Sequence, residues 1–494
     1  MIGPSVGAGW GAGLFDAVTN PPQAYRSAED LAADMNRPNG ANSGSVVRDS
    51  LKLIANMDKG LQGANAFIEI NPDAREKARE LDQERAEGKV RGPLHGVPIA
   101  LKDVFETGDK MQTSGGSMAL VGRPASKNAK VVDNLLKAGV VIIGKTNMSE
   151  LSNFRSDTPL DGWSSRGGQT LNPHRLSGQA AGSSTGSAVA VAQGIVPLAL
   201  GVETNGSIIT PAAYNGVVGF KPTEGLVSTE GVMTSSRQDT VGTFTRNVRD
   251  AAQALNAMTQ TNLYTVGLGP DSLVGKRIGY TPLPELSADD ASDPAKRADR
   301  QHFEDAIQLL QAKGATMVPV GRLAEGLSDD TYDSYGLALY ADVQQKLEDY
   351  LAGREGLAVK SLSELIDFNE RNNGPGVPDQ RLLTMIRDLD VSEHVREELW
   401  ADIGPIFKGT INTPLTEHRL DAIVSNFLSH SYYYGAAAGY PGISVPSGMD
   451  DDGMPTAVHF YGASLSEPTL LSVAYGYEQA SQAIRKPAFM AGLR

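Results

Sequence analysis

A serine stands at Asn205-Gly206-Ser207, inside the run LALGVETNGSIITPAAYNGVVGFKPTEG from Leu198 to Gly225. The apolar segment Val196 to Leu200 leads into it and reads as a buried strand. A polar turn then delivers Ser207, and small residues follow. A hydroxyl presented this way suits an acyl-transfer nucleophile. The backbone N–H groups of Thr204, Asn205, Gly206 and Ser207 would converge where an oxyanion develops. Such a serine needs a base, and none is adjacent in sequence.

The search for that base narrows quickly. The chain has no cysteine and seven scattered histidines. Neither H-x-x-x-H nor H-E-x-x-H occurs, so no metal and no cofactor are expected. Gly182-Ser183-Ser184-Thr185-Gly186 spells a nucleophile elbow, with His302, His394, His418, His430 and His459 downstream. The preceding LSGQAA (176–181) is poor strand text, however, and none of those histidines sits in a loop signal of special quality. Gly139 to Thr146, GVVIIGKT, spells a P-loop, but Val140 to Ile143 should themselves be the strand, which leaves no phosphate loop.

Lysine remains. Lys102 follows the uncharged run Gly96 to Leu101, so it is expected to be buried. Burial disfavours the ammonium form and brings a lysine toward neutrality. An ion pair with Asp103 is the equal alternative on spacing alone. Lys145, after Val140 to Ile143, is the main rival. Ser183 and Ser184 lie in a turn before a helix starting near Ser187. They are placed either to bridge a lysine to another serine or simply to cap that helix.

These residues need a large scaffold. The chain has 494 residues and a formal net charge of −14. That charge argues against nucleic-acid or anionic-membrane partners. No segment of about 18 apolar residues suggests a membrane span. The N-terminus MIGPSVGAGWGAGLF is not a convincing signal peptide, so a cytoplasmic protein, or an exported one whose signal is absent here, is expected.

Strands are expected at Ala66–Ile70, Leu94–Leu101, Val140–Ile143, Arg277–Tyr280, Thr316–Val320, Leu420–Ser425, Gly442–Pro446 and Ala457–Tyr461. Helices are expected at Ser27–Met35, Val46–Met57, Asn71–Glu87, Asn128–Ala138, Ser187–Gln193, Asp250–Met258, Ala295–Ala312 and Glu467–Ala483. The alternation implies an α/β fold: one large domain over 1–494 with a mixed central sheet covered by helices on both faces. Residues 1–26 read as an arm. Residues 331–409 read as a mostly helical layer near the substrate entrance.

Several blocks, in this order, resemble the amidase signature family: LHGVPIALKD (94–103), GKTNMSEL (144–151), AGSSTGSAVAVA (181–192) and GVETNGSIITPAAYNGVVGFKPT (201–223). The resemblance runs from about residue 27 to the C-terminal helix, with its core at 90–225. It implies the amidase signature fold and a Ser–cisSer–Lys triad: Ser207 as nucleophile, Ser183 as bridge and Lys102 as base. The oxyanion donors would be the backbone of Thr204, Asn205, Gly206 and Ser207, with Ser184 in support. NFRSDTPLDGWSSRGGQTLNPHR (153–175) and AAAGYPGISVPSG (436–448) look most like the bacterial peptide amidases, which remove a C-terminal amide.

Two positions depart from that subgroup. Asn205 stands where Asp is usual, and Thr185 where Gly or Ser is usual. The segment SNFLSHSYYYG (425–435), with three successive tyrosines, also differs and would suit aryl or bulky groups. The resemblance thus implies an amidase acting on a peptide or small-molecule amide as a monomer or homodimer. The alternatives are an aryl amide, ester or carbamate hydrolase with the same triad, an amidotransferase subunit, and a binding protein that has lost activity.

Overall fold

The apolar runs become strands of one mixed sheet. The computed structural model describes residues 23–60, 63–158 and 160–487, so most of the arm expected over 1–26 lies outside the described residues. In chain order the strands are β1 (Phe67–Ile70), β2 (Pro98–Lys102), β3 (Val141–Thr146), β4 (Trp163–Ser164), β5 (Gly168–Gln169), β6 (Leu198–Glu203), β7 (Val218–Lys221), β8 (Thr240–Thr245), β9 (Arg277–Tyr280), β10 (Thr316–Pro319), β11 (Ala422–Asn426), β12 (Gly442–Met449) and β13 (Pro455–Tyr461). Eleven of them form the main sheet in the order β1-β3-β2-β6-β8-β7-β12-β13-β11-β9-β10, and β4-β5 is a separate ribbon.

Within this sheet β2 runs parallel to both β3 and β6. Their carboxyl ends therefore open on the same edge, where ligands of α/β sheets characteristically bind. Side chains alternate between two cores, as a strand's period of two requires. Ile99 and Leu101 of β2 enter one cluster, with Leu198 and Leu200 of β6. Ala100, Ala199, Val141 and Ile143 enter the other, with Ala188 to Ala192. Lys102 shares the parity of Ala100, so it points to the face carrying the Thr185–Ala192 helix.

That helix is made of small, fully buried residues. The closeness is set by Gly186, where a methyl group would come within 2.3 Å of the Ala66 carbonyl oxygen. On the other face lie the helices Lys130–Lys137, Val248–Thr259 and Glu467–Ser481. Residues 329–417 supply the helical layer: Asp329–Gly353, Leu362–Arg371, Arg381–Arg387 and Glu393–Glu417. Among the described residues no helix is long and apolar enough to cross a membrane.

Some expectations shift. The helix read over Val46–Met57 spans Ser43–Leu53 and passes into a π-helical turn, Ile54–Asp58. The run Leu94–Leu101 becomes extended only from Pro98. Two central strands, β7 and β8, carry no apolar run. Thr240–Thr245 reads TVGTFT, and β7 ends on the buried Lys221, whose Nζ donates to the Tyr440 carbonyl. Their position between β6 and β12, not their own periodicity, makes them strands.

Candidate active site

Lys102 is the last residue of β2, and its side chain is fully buried. Its Nζ donates to Ser183 Oγ at 2.7 Å and to the Val202 carbonyl of β6 at 3.3 Å. Ser183 Oγ in turn donates to Ser207 Oγ at 3.1 Å. Three residues far apart in the chain thus form one hydrogen-bonded row. Burial brings the Lys102 amine down to about 7, against the opposing charges of Asp239 and Glu203. Asp103 takes no part. Its carboxylate accepts from Ser114 and Arg166, so the ion pair considered for Lys102 is not formed.

The segment bearing Ser183 is fixed from both sides. The Gly182–Ser183 peptide bond is cis. The Ser183 carbonyl accepts from the Ser149 N–H at 3.1 Å. Thr185 Oγ1, the residue that departs from the usual Gly or Ser, donates to the Ala181 carbonyl at 2.6 Å and ties down the turn. Ser184 stands at the helix N-cap but makes no capping bond. Its Oγ donates to the Val202 carbonyl at 3.1 Å, and its N–H to the Ser207 carbonyl at 3.3 Å. Ser187 Oγ donates to the Leu200 carbonyl at 2.8 Å. These serines fasten the helix to β6 and do not cap it.

The turn after β6 is held by residues the sequence did not flag. The buried Glu203 Oε2 accepts from the N–H groups of Ile208 and Ile209, at 2.8 and 2.9 Å, and anchors the short Ile209–Tyr214 helix behind Ser207. Thr204 Oγ1 donates to Asp239 Oδ1 at 2.7 Å. Burial raises the Asp239 carboxyl above its ordinary value. Gly206 adopts φ of +87°, a left-handed conformation that suits glycine. Among the described residues, no acceptor takes the N–H groups of Thr204, Asn205, Gly206 or Ser207. Those four donors are free at the residue whose hydroxyl ends the row.

Asn205 reaches the helical layer. Its Nδ2 donates to the hydroxyl of the buried Tyr335 at 3.0 Å, and Gln238 Nε2 donates to the same oxygen at 2.8 Å. Gln238 Nε2 also holds the Thr204 carbonyl. Tyr335 packs among Trp400, Phe407 and Tyr433. The three successive tyrosines divide in two: Tyr433 joins this aromatic cluster and touches Tyr434, which bonds to Tyr332, while Tyr432 lies against Gly206. A signal for Tyr335 was beyond sequence reasoning. Asp239 and Gln238 had one in the polar run SSRQDT (235–240), which no other role explains.

The rivals fall into structural places. Lys145 Nζ donates to the carbonyls of Phe105 and Gln112, at 2.9 and 2.7 Å, and to Thr113 Oγ1 at 3.0 Å. It is spent on backbone that no part of the row touches. Val141 to Thr146 of GVVIIGKT form β3. His302 bonds Thr456, and His459, lowered to about 4 by burial, contacts the Phe427 carbonyl. None of the seven histidines hydrogen-bonds Ser183, Ser184 or Ser207.

The family profile described as Amidase matches residues 45–471, so the chain belongs to the amidase family of hydrolases. Among solved structures it is similar to the peptide amidase of Stenotrophomonas maltophilia, with 38% identity and a TM-score of 0.86 over 95% of this chain and 99% of that one. It is 35% identical to a probable amidase of Arabidopsis thaliana, over 86% of this chain and 85% of the relative. It is also 32% identical to a glutamyl-tRNA(Gln) amidotransferase subunit from a Synechococcus species, over 86% of this chain and 91% of the relative.

Proposed function

We propose that the protein hydrolyses C-terminal peptide amides or related amides through an acyl-enzyme, with Ser207 as nucleophile, Ser183 as bridge and Lys102 as base. The observation that carries this reading is the row of Lys102, Ser183 and Ser207 with its amine fully buried. With the amine charged, the row points outward, because Lys102 donates to Ser183 and Ser183 to Ser207. With the amine neutral it reverses. Ser207 then gives its proton to Ser183, and Ser183 gives its own to Nζ as the Ser207 oxygen attacks the carbonyl carbon.

The C–O bond forms as the carbonyl π pair moves to oxygen, opposite the N–H groups of 204 to 207. The proton returns through Ser183 to the leaving nitrogen as the C–N bond breaks. Water then attacks the acyl-enzyme by the same relay. Ser184 holds the Ser207 carbonyl throughout. The helical layer near the substrate entrance takes part through Tyr335.

The likeness to the Stenotrophomonas peptide amidase over nearly the full chain favours peptide amides. Aryl amides, esters and carbamates remain the second reading, on the ground that Tyr432 offers a ring beside Gly206. Ammonia release from an amidated peptide is expected to exceed aniline release from the matching anilide. The reverse order would favour the aryl reading, and no release from either would overturn the hydrolase. The relative from Synechococcus is one chain of an amidotransferase, so co-purification with a second chain would point to that activity instead.

A further inference from the structure

We propose that Asp161 makes the acyl side of this site a cation subsite, selecting amides whose acyl residue carries an ammonium or guanidinium side chain. The inference deepens the amide-hydrolase reading and rests on it. It starts from what flanks the row. A methyl group on Gly182, the residue before Ser183, would come within 2.8 Å of Asp161 Oδ1. A methyl group on Gly206, the residue before Ser207, would come within 2.8 Å of the Tyr432 ring. Thr210 Oγ1 ties the two turns together, donating to the Gly182 carbonyl at 3.2 Å and the Gly206 carbonyl at 2.8 Å. The Asp161 carboxylate thus lies beside the turn that bears Ser183, and the Tyr432 ring beside the turn that bears Ser207.

The carboxylate is half-buried and short of partners. Oδ1 accepts from Asn153 Nδ2 at 3.0 Å, and among the described residues no lysine or arginine pairs with it. The arginines of the same stretch are committed elsewhere: Arg155 to Glu150 at 2.6 Å, and Arg166 to Glu69 and Asp103. A partly desolvated carboxylate with one neutral donor lacks the compensation that a cation supplies. Its orientation is also enforced. Leu151, Ser152 and Asn153 take φ of 52°, 56° and 73°, three successive non-glycine residues in the left-handed region, and the last of them holds Asp161.

The surroundings favour a positive ligand. Burial raises the phenols of Tyr432 and Tyr214, and negative charges including Asp161 push them the same way, so its field reaches both rings. A ring of this kind accepts a cation or its aliphatic stem on its face. A chain of net charge −14 also draws cations inward.

Citrulline is the neutral isostere of arginine, so it isolates the charge. Matched peptide amides ending in argininamide and citrullinamide are compared on the wild-type enzyme and on Asp161→Asn. Wild type is expected to prefer argininamide in kcat/KM by about tenfold, and the preference should shrink with added salt. Asp161→Asn is expected to abolish it, so that the variant hydrolyses the two amides at equal kcat/KM. A wild type indifferent to the charge, or a variant that keeps the preference, overturns the proposal. Binding of the same two peptides to Ser207→Ala, with and without Asp161→Asn, reads the subsite without turnover. If wild type hydrolysed neither peptide while Ser207→Ala still bound argininamide about tenfold tighter than citrullinamide, the hydrolase reading would fail and the subsite stand. Equal binding would remove the subsite whatever the activity.

Discussion

Replacing Asp239 by Asn is expected to move the acid limb of the pH–rate profile to lower pH. Burial brings Lys102 from the ordinary lysine value of 10.5 to about 7. That fall corresponds to about 5 kcal/mol against the ammonium form. Asp239 and Glu203 work the other way, since their charges favour the ammonium. A nearby unit charge acting through an effective dielectric of about 20 is worth on the order of 1–2 kcal/mol. Burial raises the Asp239 carboxyl, and the bonds it accepts from Ser235, Thr204 and Ser236 favour its charged form. A net shift of about one pH unit follows when that charge is removed.

The sign is definite. Taking away an anion makes the ammonium less favourable, lowers the Lys102 value further and keeps the base neutral in more acidic solution. The assay is kcat/KM on an amidated peptide from pH 5 to 9, which reports the free enzyme. Wild type should rise through about 7 and lose about tenfold per pH unit below it. The variant should show the same limb about one unit lower. Its plateau is expected to drop, because an Asn oxygen replaces two carboxylate oxygens that accept from Ser235, Ser236 and Thr204. The position of the limb is therefore the readout. A limb that stays put or moves to higher pH would refute the reasoning, and a flat wild-type profile would remove the lysine base.

Tyr335→Phe removes the oxygen that accepts from Asn205 and Gln238 while keeping the ring in its aromatic cluster. A drop of about tenfold in kcat with KM nearly unchanged is expected, because the turn after β6 loses its tie to the helical layer; unchanged kcat would show that the tie does not position the turn. Lys145→Met leaves three buried acceptors without a donor. It should cost about 3 kcal/mol or more in denaturant unfolding and leave the acid limb of the remaining activity where it was. A moved limb would make Lys145 part of the base.

The parts of the site that could be read from the chain are those carried by local text. Arg277–Tyr280 is a strand with the expected bounds, and GVVIIGKT was legible as a strand because four β-branched residues fill the supposed loop. Lys102 showed itself by an uncharged run before it, which the fully buried β2 explains. What was hidden depends on partners far along the chain. Glu203 looks like an ordinary strand-end acid until the helix Ile209–Tyr214 exists for it to anchor, and ITPAAY is too short to announce a helix. Tyr335 meets Asn205 across 130 residues, a pairing no spacing rule can supply. The three tyrosines at 432–434 are consecutive in the text, yet the helix Ser431–Ala437 turns Tyr432 toward Gly206 and leaves Tyr433 and Tyr434 against Tyr332, because residues along a helix point about 100° apart.

The proposed mechanism requires that the Ser207 oxygen attack, activated by Ser183 and Lys102. Mapping the covalent adduct of a fluorophosphonate by peptide mass spectrometry tests this most directly. The adduct is expected on Ser207 in the wild type, formed at least a hundredfold more slowly in Lys102→Ala and absent in Ser207→Ala. An adduct on another residue, or labelling of Ser207 that does not depend on Lys102, would contradict it.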